Sequence, residues 1–199
     1  RDEIADYVQR VRVFLNDPLA LTGQHAFSDR AGGNLSRPYF PDGELGRPHG
    51  PLSRPITEWS PFATGLQESL VRPEVVKHLG FVDGTSDKGA ANECVGLLNE
   101  DGDIHLLGNG IQIFPGSVPI YRGSTLIGGI GVSGDGVDQD DMIAFLSVHL
   151  AGEASGTFGN APKEIRADTI EVDNVRLRYI SCPFNPFLDE SEQEVCNGK

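Results

Sequence analysis

Residues 114–144 constrain the fold of this chain more than any other stretch, and they read FPGSVPIYRGSTLIGGIGVSGDGVDQDDMIA. The short apolar segment Val118–Tyr121 and the longer segment Thr125–Ser133 flank the turn Arg122-Gly123-Ser124, a pattern that predicts a β-hairpin. A glycine-rich loop follows and leads into a helix, for which Asp138 is the expected N-cap. The stretch therefore predicts an α/β unit built on an antiparallel hairpin.

The outgoing strand of this hairpin has two unequal faces. Gly129 and Gly131 fall on one face and leave a strip of backbone without side chains. Glycine weakens a strand, so the strip indicates close approach of either a packed helix or a ligand, and both interpretations remain open. The opposite face is mostly apolar and is expected in the core: Leu126, Gly128, Ile130 and Val132.

The acidic residues after the glycine loop have two interpretations. Asp140 and Asp141 fall in the first turn of the predicted helix, where its dipole favours negative charge. Together with Asp135 and Asp138 they could instead bind Ca²⁺, but their spacing differs from that of an EF-hand loop. The apolar face of the helix is expected to consist of Met142, Ile143, Phe145, Leu146, His149 and Leu150.

The whole segment resembles the GlcG/HbpS family, a group of haem-binding or haem-degrading proteins related to the C-terminal domain of PduO. The family usually has paired glycines before the Val-Pro-Ile position, where this chain has Gly116-Ser117. The resemblance implies a profilin-like α/β (α+β) fold with a mainly antiparallel sheet flanked by helices, haem as cofactor and a homo-oligomer. It is carried by Pro119-Ile120, Gly123, Ile127-Gly128, Ile130–Gly134 and Gln139-Asp140.

We expect a ligand pocket beside residues 114–119 and 129–134. A single imidazole suffices to hold haem iron, and the resemblance does not choose among the five histidines. His25 and His105 are the preferred candidates because both adjoin apolar residues, although each could be an ordinary histidine. The predicted ligand-binding residues are Phe114, Pro115, Gly116, Pro119, Gly129, Gly131, Ser133 and Gly134.

Composition excludes several classes of function. The formal net charge of −13 argues against binding to nucleic acid or to anionic membrane surfaces, because both require a basic face. No apolar run reaches the roughly 18 residues that a membrane-spanning helix needs.

A disulfide between Cys182 and Cys196 would close a loop of about 15 residues and would indicate a periplasmic or secreted protein. The alternative is two free thiols in a cytoplasmic protein.

The chain is expected to form a single domain over residues 1–199, with an irregular tail at 181–199. A helix is predicted over Asp2–Asn16 and two further hairpins over 93–107 and 168–180. Residues 28–62 are rich in proline and glycine, so no regular element is expected there. Their aromatic residues indicate an ordered arm that contacts the body of the protein or a neighbouring subunit.

More than 110 residues precede the glycine motif, and most do not match the plan of the family. The hairpin at 93–107 could replace the family's first hairpin. Alternatively, because the sequence begins with Arg1, we expect the chain to be the C-terminal part of a longer polypeptide, with the family's first hairpin lost or on a separate fragment. These features favour a non-catalytic binder of haem or a similar small ligand. The alternatives are a haem-degrading or small-organic-acid enzyme and an accessory subunit of a larger complex.

Overall fold

The computed structural model describes residues 2–59, 75–76, 78–86, 110–134, 136–182 and 189–199. Helices and small antiparallel sheets occur together in this part of the chain, which confirms the predicted α+β class. The chain forms two compact units, one from Arg1–Asn34 with Ile113–Lys199 and one from Leu35–Gln112. The single-domain organisation and the profilin-like topology remain predictions.

The first unit begins with helix α1, Asp2–Phe14. The helix ends two residues before the predicted Asn16, which adopts a positive φ of 50°. Tyr7, Val11 and Leu15 provide its buried face, whereas Ile4 is exposed.

Helix α2, Asp29–Leu35, contradicts the prediction that no element forms between residues 28 and 62. Ser28 supplies the start signal, because its Oγ accepts a hydrogen bond from the N–H of Ala31 at 3.2 Å. Gly32 then allows close packing, since a Cβ at this position would lie 2.9 Å from the side chain of Ile113. Glycine, which usually disfavours a helix, is here required by the helix environment.

The predicted central hairpin is present as β1, Ser117–Arg122, and β2, Thr125–Gly131. The strands are antiparallel, with Val118 opposite Ile130 and Ile120 opposite Gly128. An irregularity in register between Ile120 and Tyr121 bends the hairpin near its turn.

The prediction that one face of β2 belongs to the core is wrong. Leu126 and Ile127, on opposite faces, are 46% and 44% exposed, and Ile130 is half-buried. The core contacts of the hairpin come from β1 instead, where Val118 and Tyr121 are buried. Within the described residues β2 pairs only with β1, so it behaves as an edge strand, and alternation alone does not distinguish an edge strand from a central one.

Helix α3, Val137–Ser155, follows the hairpin. Gly136 occupies the N-cap position without a side-chain hydrogen bond, so the prediction of Asp138 as N-cap is wrong. His149 and Leu150 were predicted on the apolar face, but His149 is half-buried and Leu150 is exposed. The helix ends at Gly156, which adopts the left-handed conformation that commonly terminates helices. The buried face of the helix includes Asp141, Met142, Phe145, Val148 and Gly152.

The C-terminal part of the first unit contains a short hairpin, β3 (Glu171–Val172) and β4 (Val175–Arg176). Asp173 and Asn174 form its turn with φ values of 52° and 60°, which suit a two-residue hairpin loop. Both strands are shorter than predicted: a 3₁₀ turn over Ala167–Thr169 occupies the start of the first, and the second ends at Arg176. The predicted disulfide between Cys182 and Cys196 is present.

The second unit buries the aromatic side chains of Phe40 and Trp59. Trp59 donates its indole N–H to the carbonyl of Arg54 at 3.0 Å. Ser53 and Gly110 form an isolated antiparallel bridge, and the N–H of Ile111 bonds to the carbonyl of Leu52 at 2.7 Å. The predicted contact of residues 28–62 with the body of the protein or with a neighbouring subunit remains a prediction. The predicted hairpin at 93–107 lies outside the described residues.

Candidate functional site

A cavity of about 380 Å³ lies against the central hairpin in the first unit. Its volume falls within the range of small-molecule sites, roughly 300–1,000 Å³. Most lining side chains are apolar, and Asp29 is the single charged residue among the described lining residues. The cavity is lined by Phe27, Asp29, Ser117, Val118, Pro119, Leu126, Gly128, Gly129, Ile130 and Gly131.

The loop before α2, which borders the cavity at Phe27, is held in place by hydrogen bonds to two other segments. Ala26 donates its N–H to Ile165 and accepts from the N–H of Ala167, at 2.7 and 2.9 Å. These two bonds place the adjacent Phe27 at the cavity. Earlier in the loop, the Tyr121 hydroxyl donates to the carbonyl of Gly23 at 3.1 Å. The cavity wall at Phe27 is therefore held by the backbone bonds of Ala26 and by the hydroxyl of Tyr121.

Bare backbone forms one side of the cavity. A Cβ at Gly129 would lie 3.6 Å from the carbonyl oxygen of Val118 and would make an ordinary contact. A Cβ at Gly128 would meet no atom within 4 Å. Because packing does not require glycine at these two positions, the open surface they leave is available to a flat ligand.

Pro119, Gly129 and Gly131 are the predicted site residues that line this cavity. Gly116 is buried at the base of the hairpin, where its carbonyl accepts from the N–H of Val132 at 2.7 Å. Its φ of 132° and the proximity of the Val132 carbonyl oxygen to a Cβ position give it a structural reason to be glycine. The remaining predicted residues are not among the lining residues: Phe114, Pro115, Ser133 and Gly134.

The predicted iron ligand His25 is bound by Asp17, with 3.0 Å between Nε2 and Oδ2. Its Nδ1 is buried and has no hydrogen-bond partner among the described residues. Coordination of iron through Nε2 would thus require His25 to leave Asp17, and coordination through Nδ1 would require this nitrogen to become accessible. The second predicted ligand, His105, lies outside the described residues.

A buried cluster of charges was not predicted. Arg30 donates from Nε to Oδ2 of Asp141 at 2.5 Å and from Nη2 to Asp138. Asp141 is fully buried, and the N–H of Ser181 donates to its Oδ2 at 2.7 Å. Burial raises the pKa of Asp141, and the charge and hydrogen bond of Arg30 oppose that shift. Asp138 and Asp141 therefore form an internal ion pair with Arg30, which neither interpretation of the acidic residues predicted. Asp140 lies in the first turn of α3, as predicted.

Arg166 lies between two aromatic rings in the same unit. Its guanidinium carbon is 5.2 Å from the ring centres of both Phe145 and Tyr179. The Tyr179 hydroxyl is buried without a hydrogen-bond partner among the described residues. Burial raises the pKa of Tyr179, although the charge of Arg166 acts in the opposite direction. This arrangement is a cation–π core feature and is separate from the residues lining the cavity.

Sequence reasoning missed Phe27 and Asp29 at the cavity and Arg30 in the ion pair. Nothing local marks the first two, since their role depends on contact with a hairpin about 90 residues away. Asp141 did carry a signal, because it shares a helical face with Phe145 and Val148, at i+4 and i+7. A carboxylate on an apolar stripe indicates a buried, paired charge.

The described residues contain no group of three or more histidine, cysteine, aspartate or glutamate residues arranged to hold a metal ion. No helix within them combines the length and the hydropathy needed to cross a membrane.

The family model described as "Haem degrading protein HbpS-like" matches residues 84–148, a range that includes β1, β2 and part of α3. No curated protein and no solved structure matches the chain. The matched range contains the glycine motif that carries the predicted resemblance. Residues 84–148 are therefore an HbpS-like segment, which confirms the predicted resemblance of this stretch to the GlcG/HbpS family.

Proposed function

We propose that this protein binds haem or a similar flat, largely apolar ligand in the cavity beside the central hairpin, without catalysing its conversion. One observation carries the proposal: the cavity lies on the hairpin of the haem-related segment and is bordered there by glycine backbone. A planar ring gains most from a surface without protruding side chains. Asp29 is the single acid–base group among the described lining residues, which supports binding over catalysis.

The cavity residues fit the macrocycle of haem better than its iron. Phe27, Leu126 and the backbone of Gly129–Gly131 would hold the ring by apolar contact. Bound haem would supply an iron centre, but no histidine, cysteine, methionine or tyrosine occurs among the described lining residues. His25 and His105 remain the proposed iron ligands. For His25 the proposal includes release from Asp17.

Haemin titration followed by absorbance tests the proposal. We expect the Soret band of haemin to shift on binding, and we expect this change to saturate near one haemin per chain. Gly129→Val should weaken binding about tenfold, because the valine side chain would occupy the bare strip against which the ring packs. Gly136→Val is the matched control, because Gly136 has extended backbone, open space around its Cβ position and no place in the cavity. An unchanged Soret band at stoichiometric haemin, or equal weakening by both variants, would contradict the proposal.

Histidine variants test the iron ligands separately from the cavity. If His25→Ala or His105→Ala loses the Soret shift but still binds metal-free porphyrin, the substituted histidine is the residue that holds the iron. An unchanged Soret spectrum in both variants would remove these two residues from the proposal and leave ring binding intact.

We also propose that the protein assembles as a homo-oligomer through the exposed strand β2. The strand carries no charged residue, and charged side chains are a common protection of free sheet edges. Light scattering after size exclusion should show a species larger than one chain. Ile127→Lys should shift it towards the monomer, whereas Val13→Lys, at an exposed position of α1, should not. A monomeric wild-type protein would refute the assembly.

Finally, we propose a periplasmic or secreted location. The supporting observation is the Cys182–Cys196 disulfide, since such bonds persist in oxidising compartments. Fractionation of native cells, with alkylation of free thiols before lysis, should find the protein exported and both cysteines protected. Free thiols in a cytoplasmic fraction would contradict this.

A further inference from the structure

Asp29, in the first turn of α2, carries the single charged side chain among the described residues that line the cavity. It is half-buried and lies beside Phe27, Leu126 and the glycine strip. None of the ion pairs among the described residues involves its carboxylate. The adjacent cation, Arg30, is directed to Asp138 and Asp141 instead.

A carboxylate in this setting discriminates between ligands by charge. When a ligand fills the cavity it displaces water from Asp29, and the lost hydration must be replaced by a hydrogen-bond donor or a positive charge. A ligand edge that carries carboxylates would add repulsion to the loss of hydration. The lining side chains offer little polarity in place of the displaced water, so the penalty increases as the ligand covers Asp29.

We propose that Asp29 is a specificity-determining residue. It favours planar ligands that present an N–H donor or a positive charge to it and disfavours ligands that present an anionic edge. This inference rests on the proposed binding function and specifies its ligand class. For a haem-type ligand the consequence is an orientation. The propionate-bearing edge points away from Asp29, and a ring whose acidic substituents are replaced by amines binds more tightly.

Two metal-free porphyrins with the same ring test this inference without any contribution from iron. One is protoporphyrin IX, with two propionates, and the other is its diamide with ethylenediamine, which carries two ammonium groups. Binding is followed by porphyrin fluorescence at about 0.15 M salt, where charges more than about 8 Å away are largely screened. Asp29→Asn is compared with wild type.

Asp173→Asn is the matched control. It removes the same formal charge from an exposed turn, where a positive φ of 52° is well tolerated by asparagine. We expect the ratio of the two affinities, dicationic over dianionic, to fall about tenfold in Asp29→Asn and to remain within about twofold of wild type in Asp173→Asn.

The outcomes separate this inference from the proposed function. If both porphyrins bind saturably and Asp29→Asn changes the ratio no more than Asp173→Asn does, the role of Asp29 is overturned and ring binding stands. If neither porphyrin binds saturably to wild type, the binding function itself fails, and the selection with it.

Discussion

The guanidinium of Arg30 meets the carboxylate of Asp141 inside the first unit, with 2.5 Å between Nε and Oδ2. The two residues are 111 positions apart in the chain, and Asp141 also accepts a hydrogen bond from the N–H of Ser181. One carboxylate thus connects α2, the start of α3 and the segment that leads to Cys182. Asp138 binds the same guanidinium from the more exposed side.

A double-mutant cycle measures this connection. Arg30→Met should lower the free energy of unfolding by about 3 kcal/mol, because it leaves the buried Asp141 without its cationic partner. Asp141→Asn should also destabilise, since Arg30 then depends on Asp138. The double variant should be more stable than the sum of the two effects predicts by about 2 kcal/mol. Urea unfolding checks this, and strictly additive losses would show that the pair is energetically unimportant.

Tyr179 makes stability sensitive to alkali. Burial raises its pKa in the folded protein, whereas in the unfolded chain the phenol ionises near its ordinary pKa of about 10. The resulting stabilisation is fully present below the ordinary pKa and is lost as the pH rises above it, because only the unfolded state releases the proton. Wild type should therefore lose about 1.4 kcal/mol more per pH unit above 10 than Tyr179→Phe.

The same substitution has little effect at neutral pH. The hydroxyl of Tyr179 makes no hydrogen bond among the described residues, so Phe should leave the free energy of unfolding unchanged or raise it by up to about 1 kcal/mol. Urea midpoints at about pH 7 and at several values above 10 provide both comparisons. Parallel pH profiles for wild type and variant would refute the assignment.

Gly152 should reverse the usual preference for alanine in helices. An exposed Gly→Ala change inside a helix typically stabilises by about 1 kcal/mol. Here a Cβ would lie 2.5 Å from the carbonyl oxygen of Phe158 and 3.2 Å from the Cα of Gly159, so the loop after α3 must move. We expect Gly152→Ala to lower the free energy of unfolding by about 2 kcal/mol.

Ser147→Ala is the control for this change, because Ser147 is exposed on the same helix. It should stabilise by a few tenths of a kcal/mol, about the difference in helix propensity. Thermal unfolding followed by circular dichroism distinguishes the two variants. A Gly152→Ala protein as stable as the control would show that the loop moves without cost.

The Cys182–Cys196 disulfide should stabilise the first unit. The two cysteines are 14 positions apart, and closing a loop of that length is worth about 3 kcal/mol in the chain-entropy model. Unfolding of wild type in the presence of a strong reductant should resemble that of the Cys182→Ser/Cys196→Ser variant. The variant itself should not respond to the reductant, and a wild type that also fails to respond would contradict the stabilisation.

Local signals predicted part of this structure well. The turn between β1 and β2, the tight Asp173-Asn174 turn and the disulfide all involve residues close in sequence. The exposure of Leu126 was not predictable, because alternation is the same in an edge strand and in a central one. Asp29 escaped notice for a related reason, since only the fold brings it to the hairpin.

The first unit is assembled from both ends of the described chain. Ala26 is paired with Ile165 and Ala167, and Arg30 depends on Asp141, so the opening segment lacks its partners while it is being synthesised. Such distant pairings slow folding, since a long loop must close before they form. The ribosome must therefore release well over one hundred further residues before the cavity wall around Phe27 can take shape. Any factor that shields nascent chains would act on this protein during that interval.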